Sequence, residues 1–285
     1  MYLDYLSTSK LQEFIQNALA EDHGDGDHSS IGSISTNTAV NAQLLFKDAG
    51  IVAGMELAKL IFETVSENIY FEPFKKDGDP ILSGEIGFQV TGNARDVLAA
   101  ERLVLNCMQR MSGIATYTHF LNDLIKNSKA KLLDTRKTTP NFRLAEKWAV
   151  TIGGGLNHRF GLYDMVMLKD NHIDFAGGVP NAINSIISYL EKSGKQLKIE
   201  IEVRNLQELK EVLSVGGIHR IMLDNMLPSE MRQAVDLIGG KYETEASGGI
   251  TEKSIVEIAE TGVDYISVGA LTHSYKSLDM SLKAI

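Results

Sequence analysis

Arginine, lysine and histidine gather between residues 134 and 172. The run DTRKTTPNFR starts at Asp134 and brings Arg136, Lys137 and Arg143 close together, and NHRFGLYDMVMLKDNH follows with His158, Arg159, Lys169 and His172. From 134 to 172 there are six Lys or Arg against four Asp or Glu, in a chain whose net charge is −9. A guanidinium grips a carboxylate at two points, so Arg136 and Arg159, with His158, suit an organic acid. The ammonium groups of Lys137 and Lys169 suit phosphate as point charges. Glu202 and Asp224 offer the hard oxygens that Mg²⁺ takes beside a diphosphate. Ser247, Gly248 and Gly249, and later Val268, Gly269 and Ala270, leave backbone amides open to a phosphate. A solvated charged face would explain any one of these groups alone. Their positions along the chain change that reading.

From about Lys131 the chain alternates strand, loop and helix. The expected strands are KLLD, MVMLKD, LKIEIEV, HRIMLDN, YETEAS and DYISVGA, and between them lie the helices RLAEKWAVTI, PNAINSIISYLEKSG, LQELKEVLSVG, PSEMRQAVDLIG and TEKSIVEIAETG. Such alternation implies a parallel sheet, because a parallel connection needs a crossover. Six units of this kind favour a β/α barrel, whose chemistry sits at the C-terminal strand ends. Those ends carry Thr135, Arg136 and Lys137, then Lys169, Glu202, Asp224, the Ser247 glycine pair and finally Val268, Gly269 and Ala270. A lone Asp after a strand is most often a cap, but agreement over six strands is hard to assign to caps. A helix expected from about Thr251 would add its first amides to the Ser247 segment.

The first part of the chain reads as a separate α+β domain, residues 1–112, with the barrel over 113–271 and the tail 272–285 returning to the first domain. Leu11, Phe14, Ile15, Ala18 and Leu19 give an amphipathic helix after Ser9. EDHGDGDHSS then reads as a glycine-rich loop rather than a metal site. A long helical pattern starts near Ala94, and a second one from Ile114 sets the domain boundary at Ser112 and Gly113.

Composition narrows the function. The chain has 285 residues, 44% apolar and 23% charged, as in ordinary globular proteins. Its acidity disfavours nucleic acid and anionic membranes as general partners. No apolar run approaches the ~20 residues of a membrane span, and no signal peptide is evident, so a cytoplasmic protein is expected. Cys107 is the single cysteine. It excludes an internal disulfide and a thiolate zinc cluster, and its apolar surroundings suggest a buried, inert thiol.

The block DTRKTTPNFRLAEKWAVTIGGGLNHRFGLYDMVMLKDNHI closely resembles the quinolinate phosphoribosyltransferase family, as do LAEDHGDGDHSS, AAERLVLNCMQRMSGIAT, EIEV, LDN, SGGI and VGALTHS. The resemblance implies an irregular barrel with an N-terminal sandwich-like α+β domain. It also implies a Mg²⁺-dependent reaction of quinolinate with phosphoribosyl pyrophosphate, giving nicotinate mononucleotide, carbon dioxide and pyrophosphate. Carried over, Arg136, His158, Arg159 and Lys169 would hold the quinolinate carboxylates. Arg102 would reach them from the partner subunit of a homodimer. Lys137, Glu202, Asp224, Ser247, Gly248, Gly249, Gly269 and Ala270 would surround the phosphoribosyl group and its metal, with Lys137, Lys169, Glu202 and Asp224 closest to the chemistry. Two departures stand out: the stretch from Glu202 to Asp224 is about one residue longer than the family form, and Asn141 stands where glycine is common. A paralogue acting on another acid or base, and a non-catalytic anion-binding module, remain as alternatives. The module would be expected to lose some strand-end charges, and LKDNH keeps Lys169 for the acid.

Overall fold

The computed structural model describes residues 4–285. The first half runs α1 (Thr8–His23), α2 (His28–Ser33), β1 (Ala39–Phe46), β2 (Gly50–Ile51), α3 (Met55–Val65), β3 (Tyr70–Pro73), β4 (Pro80–Ile81), β5 (Ile86–Asn93) and α4 (Ala94–Leu124). The second runs β6 (Lys131–Leu133), α5 (Arg143–Ile152), β7 (Val166–Leu168), α6 (Asp170–Ala176), α7 (Val179–Ser193), β8 (Ile199–Val203), α8 (Leu206–Val215) and β9 (Arg220–Asp224). It ends with α9 (Pro228–Ile238), β10 (Glu243–Ser247), α10 (Ile255–Ala259), β11 (Tyr265–Ser267), α11 (Ala270–His273) and β12 (Met280–Ala284). Among the described residues no helix is long and apolar enough to cross a membrane.

The chain divides into two compact units. One holds the chain up to His119 with Thr138–Gly154 and Leu271–Ile285, and the other holds Phe120–Lys137 and Gly155–Ala270. The first is built on an antiparallel sheet of order β12-β1-β5-β3. Ala42, Leu44 and Phe46 alternate along β1 and are all buried, as the two-residue strand period requires. Phe62 of α3 meets Phe71 and Phe88 of the sheet, the closest ring centroids being 4.7 Å apart. EDHGDGDHSS is not wholly a loop: Asp27 accepts the Ser30 amide at 3.1 Å and starts α2.

The helix break expected at Ser112 and Gly113 is absent, and α4 runs through both for 31 residues. Serine and glycine are weak helix formers, but here each has a tertiary reason. The Ser112 hydroxyl is fully buried and bonds the backbone of Ala53, 3.0 Å from its N–H and 3.1 Å from its carbonyl. Gly113 lies where the Lys276 carbonyl passes, and any β-carbon there would collide with it. Cys107 on the same helix is 1% exposed, and burial pushes its thiol up to about 12, so it stays protonated and inert.

The second unit carries a six-stranded parallel sheet of order β6-β11-β10-β9-β8-β7. The ladder does not join β6 to β7. Beside β6 runs an irregular stretch: the Leu156 N–H donates to the Leu132 carbonyl at 2.8 Å, and the Asp134 N–H to the Leu156 carbonyl at 3.1 Å. The barrel is irregular at this point, and the stretch leads directly to His158 and Arg159. Its interior is polar, not apolar throughout. On β8, Ile199, Ile201 and Val203 alternate with Glu200 and Glu202, and all five are buried. The register sets Glu200 beside Arg220 and Arg220 beside Glu243.

Two helices differ from the sequence reading. A short helix, α6, follows β7 directly, because the His172 ring nitrogen Nδ1 accepts the Lys169 N–H at 3.0 Å and closes its first turn. The helix expected from Thr251 starts only at Ile255, since Thr251 and Ser254 bond each other in a turn. Gly113→Val should force the Lys276 segment outward. We expect a loss of about 1–3 kcal/mol, read as a lowered midpoint in denaturant unfolding; an unchanged midpoint would show that the tail gives way freely.

Candidate active site

Asp134 follows β6 directly and is fully buried. Its carboxylate accepts the Asn157 side-chain amide at 2.6 Å and the His158 N–H at 2.8 Å, which ties the irregular stretch to the strand end. The next residues are Thr135, whose hydroxyl accepts the Lys137 N–H at 3.0 Å, and the exposed Arg136 and Lys137. Arg159 is half-buried and donates to the Met165 carbonyl at 3.1 Å. Burial lowers the Arg159 pKa, and the nearby Arg136 guanidinium lowers it further, against the pull of Glu200 and Asp164.

His158 is only 7% exposed, and both ring nitrogens face protein. Nδ1 accepts the Arg159 N–H at 2.7 Å, while Nε2 lies 2.9 Å from Glu200 and 3.5 Å from Glu245. It therefore lies beneath the strand ends.

Around the rim, Lys169 is exposed and its ammonium lies 3.4 Å from Glu202. Burial raises the Glu202 pKa; Lys169 opposes the rise and the Asp224 carboxylate adds to it. Two carboxylates this close, one of them lifted in proton affinity by burial and by its neighbour, fit a divalent cation. Asp224 accepts the Asn225 side-chain amide at 2.6 Å, and the Asn225 N–H reaches the Ser247 carbonyl at 2.9 Å. Asn225 takes φ +54°, and Gly248 takes φ +98° with no room for a β-carbon beside Asn225. Gly249, at φ +58°, faces open space. These glycines give a close backbone approach, but without the helix amides expected from Thr251. Val268 is buried, its N–H bonding the Leu133 carbonyl at 3.0 Å, and Gly269 and Ala270 follow it at the rim.

Fourteen residues expected from the sequence therefore belong to one unit and cluster at or just beneath its strand ends: Thr135, Arg136, Lys137, His158, Arg159, Lys169, Glu202, Asp224, Ser247, Gly248, Gly249, Val268, Gly269 and Ala270. Arg102 belongs to the other unit, exposed on α4. Arg143 also belongs there, donating to the Thr138 hydroxyl at 2.8 Å. Asn141 takes φ +62°, the left-handed conformation that asparagine tolerates. Sequence reasoning passed over Asp134, Glu200, Arg220 and Glu245. The alternation in EIEV was a signal for Glu200, since it puts residue 200 on the same face as Glu202.

The description "Quinolinate phosphoribosyl transferase, C-terminal domain" matches residues 114–283, and the matching N-terminal domain covers 27–112. The chain is 48% identical over 291 residues to the chloroplastic nicotinate-nucleotide pyrophosphorylase (carboxylating) of Arabidopsis thaliana, covering 97% of this chain and 83% of that one. It is 41% identical over 273 residues to a probable nicotinate-nucleotide pyrophosphorylase of Bacillus subtilis, covering 96% and 93%. Among solved structures, NadC from Streptococcus pyogenes superposes with a TM-score of 0.91 at 37% identity, covering 98% of this chain and 99% of that one.

The buried acids make stability pH-dependent. Burial pushes the Glu245 carboxyl up to about 7 from its ordinary 4.5. The folded state thus holds the proton more tightly than the unfolded state, so this group's contribution is full below about 4.5 and is lost as pH rises through about 7. We expect the melting temperature to fall over that range and Glu245→Gln to flatten the fall. A variant with the same pH profile as the parent would assign the dependence elsewhere.

Proposed function

The chain belongs to the quinolinate phosphoribosyltransferase family, and on that premise we propose how its strand ends carry out the family's reaction. The enzyme transfers the phosphoribosyl group of phosphoribosyl pyrophosphate to quinolinate with loss of carbon dioxide, giving nicotinate mononucleotide and pyrophosphate for NAD biosynthesis. The observation that carries the assignment of roles is the pairing of Arg136 with Arg159, two cations held near each other in an acidic chain.

Quinolinate is a dianion whose ring nitrogen must approach a phosphorylated, negatively charged partner. Arg136, Arg159 and Lys169 neutralise its carboxylates and hold the ring in line with the ribose carbon. Glu202 and Asp224 would hold Mg²⁺, which when bound would neutralise charge on the diphosphate. Lys137 lies beside the leaving group and stabilises its growing charge. The amides of 247–249 and 269–270 receive the ribose phosphate. Once the nitrogen carries ribose, the ring is a pyridinium; the electron pair of the adjacent C–CO₂⁻ bond stays on the ring carbon beside the positive nitrogen as carbon dioxide departs, and that carbon then takes a proton from water. No protein nucleophile takes part. His158 supports this site from below. A homodimer, with Arg102 of each subunit completing the other's site, and a cytoplasmic location belong to the same proposal.

Mass spectrometry after mixing the protein with both substrates and Mg²⁺ should detect nicotinate mononucleotide; no product would refute the reading. Arg136→Ala should cut kcat/KM for quinolinate by about 100-fold, the worth of a lost charge-assisted contact. Wild-type kinetics would remove Arg136 from the site. Arg102→Ala mixed with Arg136→Ala should regain activity that neither shows alone. No recovery would argue against donation between subunits.

A further inference from the structure

We propose that Glu200 and Glu245 are positioning residues for the acid substrate, acting through the His158 ring to fix where Arg159 points. The proposal rests on the reading above, in which Arg159 holds a quinolinate carboxylate. Neither acid reaches the rim: both are fully buried on the face shared by β8, β9 and β10.

The contacts form one chain. Glu200 lies 2.9 Å and Glu245 3.5 Å from His158 Nε2. On the other side of the ring, Nδ1 accepts the Arg159 N–H at 2.7 Å. That bond makes Nδ1 an acceptor, which leaves Nε2 as the nitrogen turned toward the two acids, at ion-pair distance from both. The acids thereby set the plane of the ring, and the ring sets the backbone of Arg159. Asp134 fixes the His158 N–H at 2.8 Å, and Met165 takes the Arg159 guanidinium at 3.1 Å, so Arg159 is held at both ends. Glu200 also supplies negative charge near Arg159, opposing the repulsion from Arg136.

The same three side chains, with donor atoms within 4.8 Å of one another, have the spacing of a cation site. Arg220 argues against that reading: it occupies part of the space as a resident cation, its guanidinium 2.9 Å from Glu245.

Packing alone gives a poor account of these acids. Apart from the ion-pair contact with His158, both Glu200 carboxylate oxygens and one of Glu245 have no hydrogen-bond partner among the described residues. Buried carboxylates in that state cost stability, and replacing buried ionic groups often stabilises a protein. A group that costs stability and directs a ligand-binding arginine has a functional reason to be there.

The test is Glu200→Gln, which keeps the shape and removes the charge, with Glu245→Gln as its companion. We expect each variant to fold with a melting temperature equal to or above the parent's. We expect KM for quinolinate to rise about 10-fold, as for a displaced binding group, with KM for phosphoribosyl pyrophosphate unchanged. A variant that fails to fold, or one in which both KM values rise together, would make the acids structural and overturn the proposal. An unchanged quinolinate KM would also overturn it. A parent enzyme that yields no nicotinate mononucleotide would instead overturn the reading on which the proposal rests.

Discussion

Repulsion between like charges shapes this protein's site. Burial makes the Arg159 charge less favourable, and the nearby Arg136 guanidinium adds to that. In an isolated chain two such side chains would swing apart into water. Here the backbone prevents it. Arg136 follows a strand end sealed by the buried Asp134, and Arg159 follows a stretch that the same Asp134 ties down. The unfavourable arrangement persists because the surrounding fold over-determines it. On the proposed reading, a dianionic ligand would relieve it.

The rest of the barrel follows the same logic with the signs reversed. Burial raises the proton affinity of Glu202, the Asp224 carboxylate on the adjoining strand adds to the rise, and the Lys169 ammonium 3.4 Å away opposes it. Cationic and anionic groups thus share one rim, with Lys169 and Glu202 paired across it. On the proposed reading the arginines take the organic acid and the two carboxylates the metal-bound diphosphate, which sets the two ligands side by side as transfer between them requires.

The rim was legible in the sequence because strand alternation is periodic and strand ends are where a parallel barrel displays side chains. Reading KLLD, MVMLKD and EIEV as strands was enough to place Arg136, Lys169 and Glu202. The layer beneath was not read, although EIEV carried its pattern, because a buried acid has no chemistry to advertise until its neighbours are known. The continuity of α4 through Gly113 was hidden for a different reason. Glycine in a sequence signals a turn, and only the passing Lys276 carbonyl reveals that it marks a close approach. The short α10 and the unforeseen α6 each depend on a single side-chain bond, from Ser254 to the Thr251 amide and from the His172 ring to the Lys169 amide. Local bonds of that kind outweigh propensity in segments of five to seven residues.

A crystal structure of the enzyme with quinolinate bound tests the central claim most directly. Both carboxylates should lie at the barrel's strand ends within hydrogen-bonding distance of the Arg136 and Arg159 guanidinium groups, with His158 still facing Glu200 below. Quinolinate bound away from these two arginines, or the two side chains diverging into solvent around an empty rim, would contradict it.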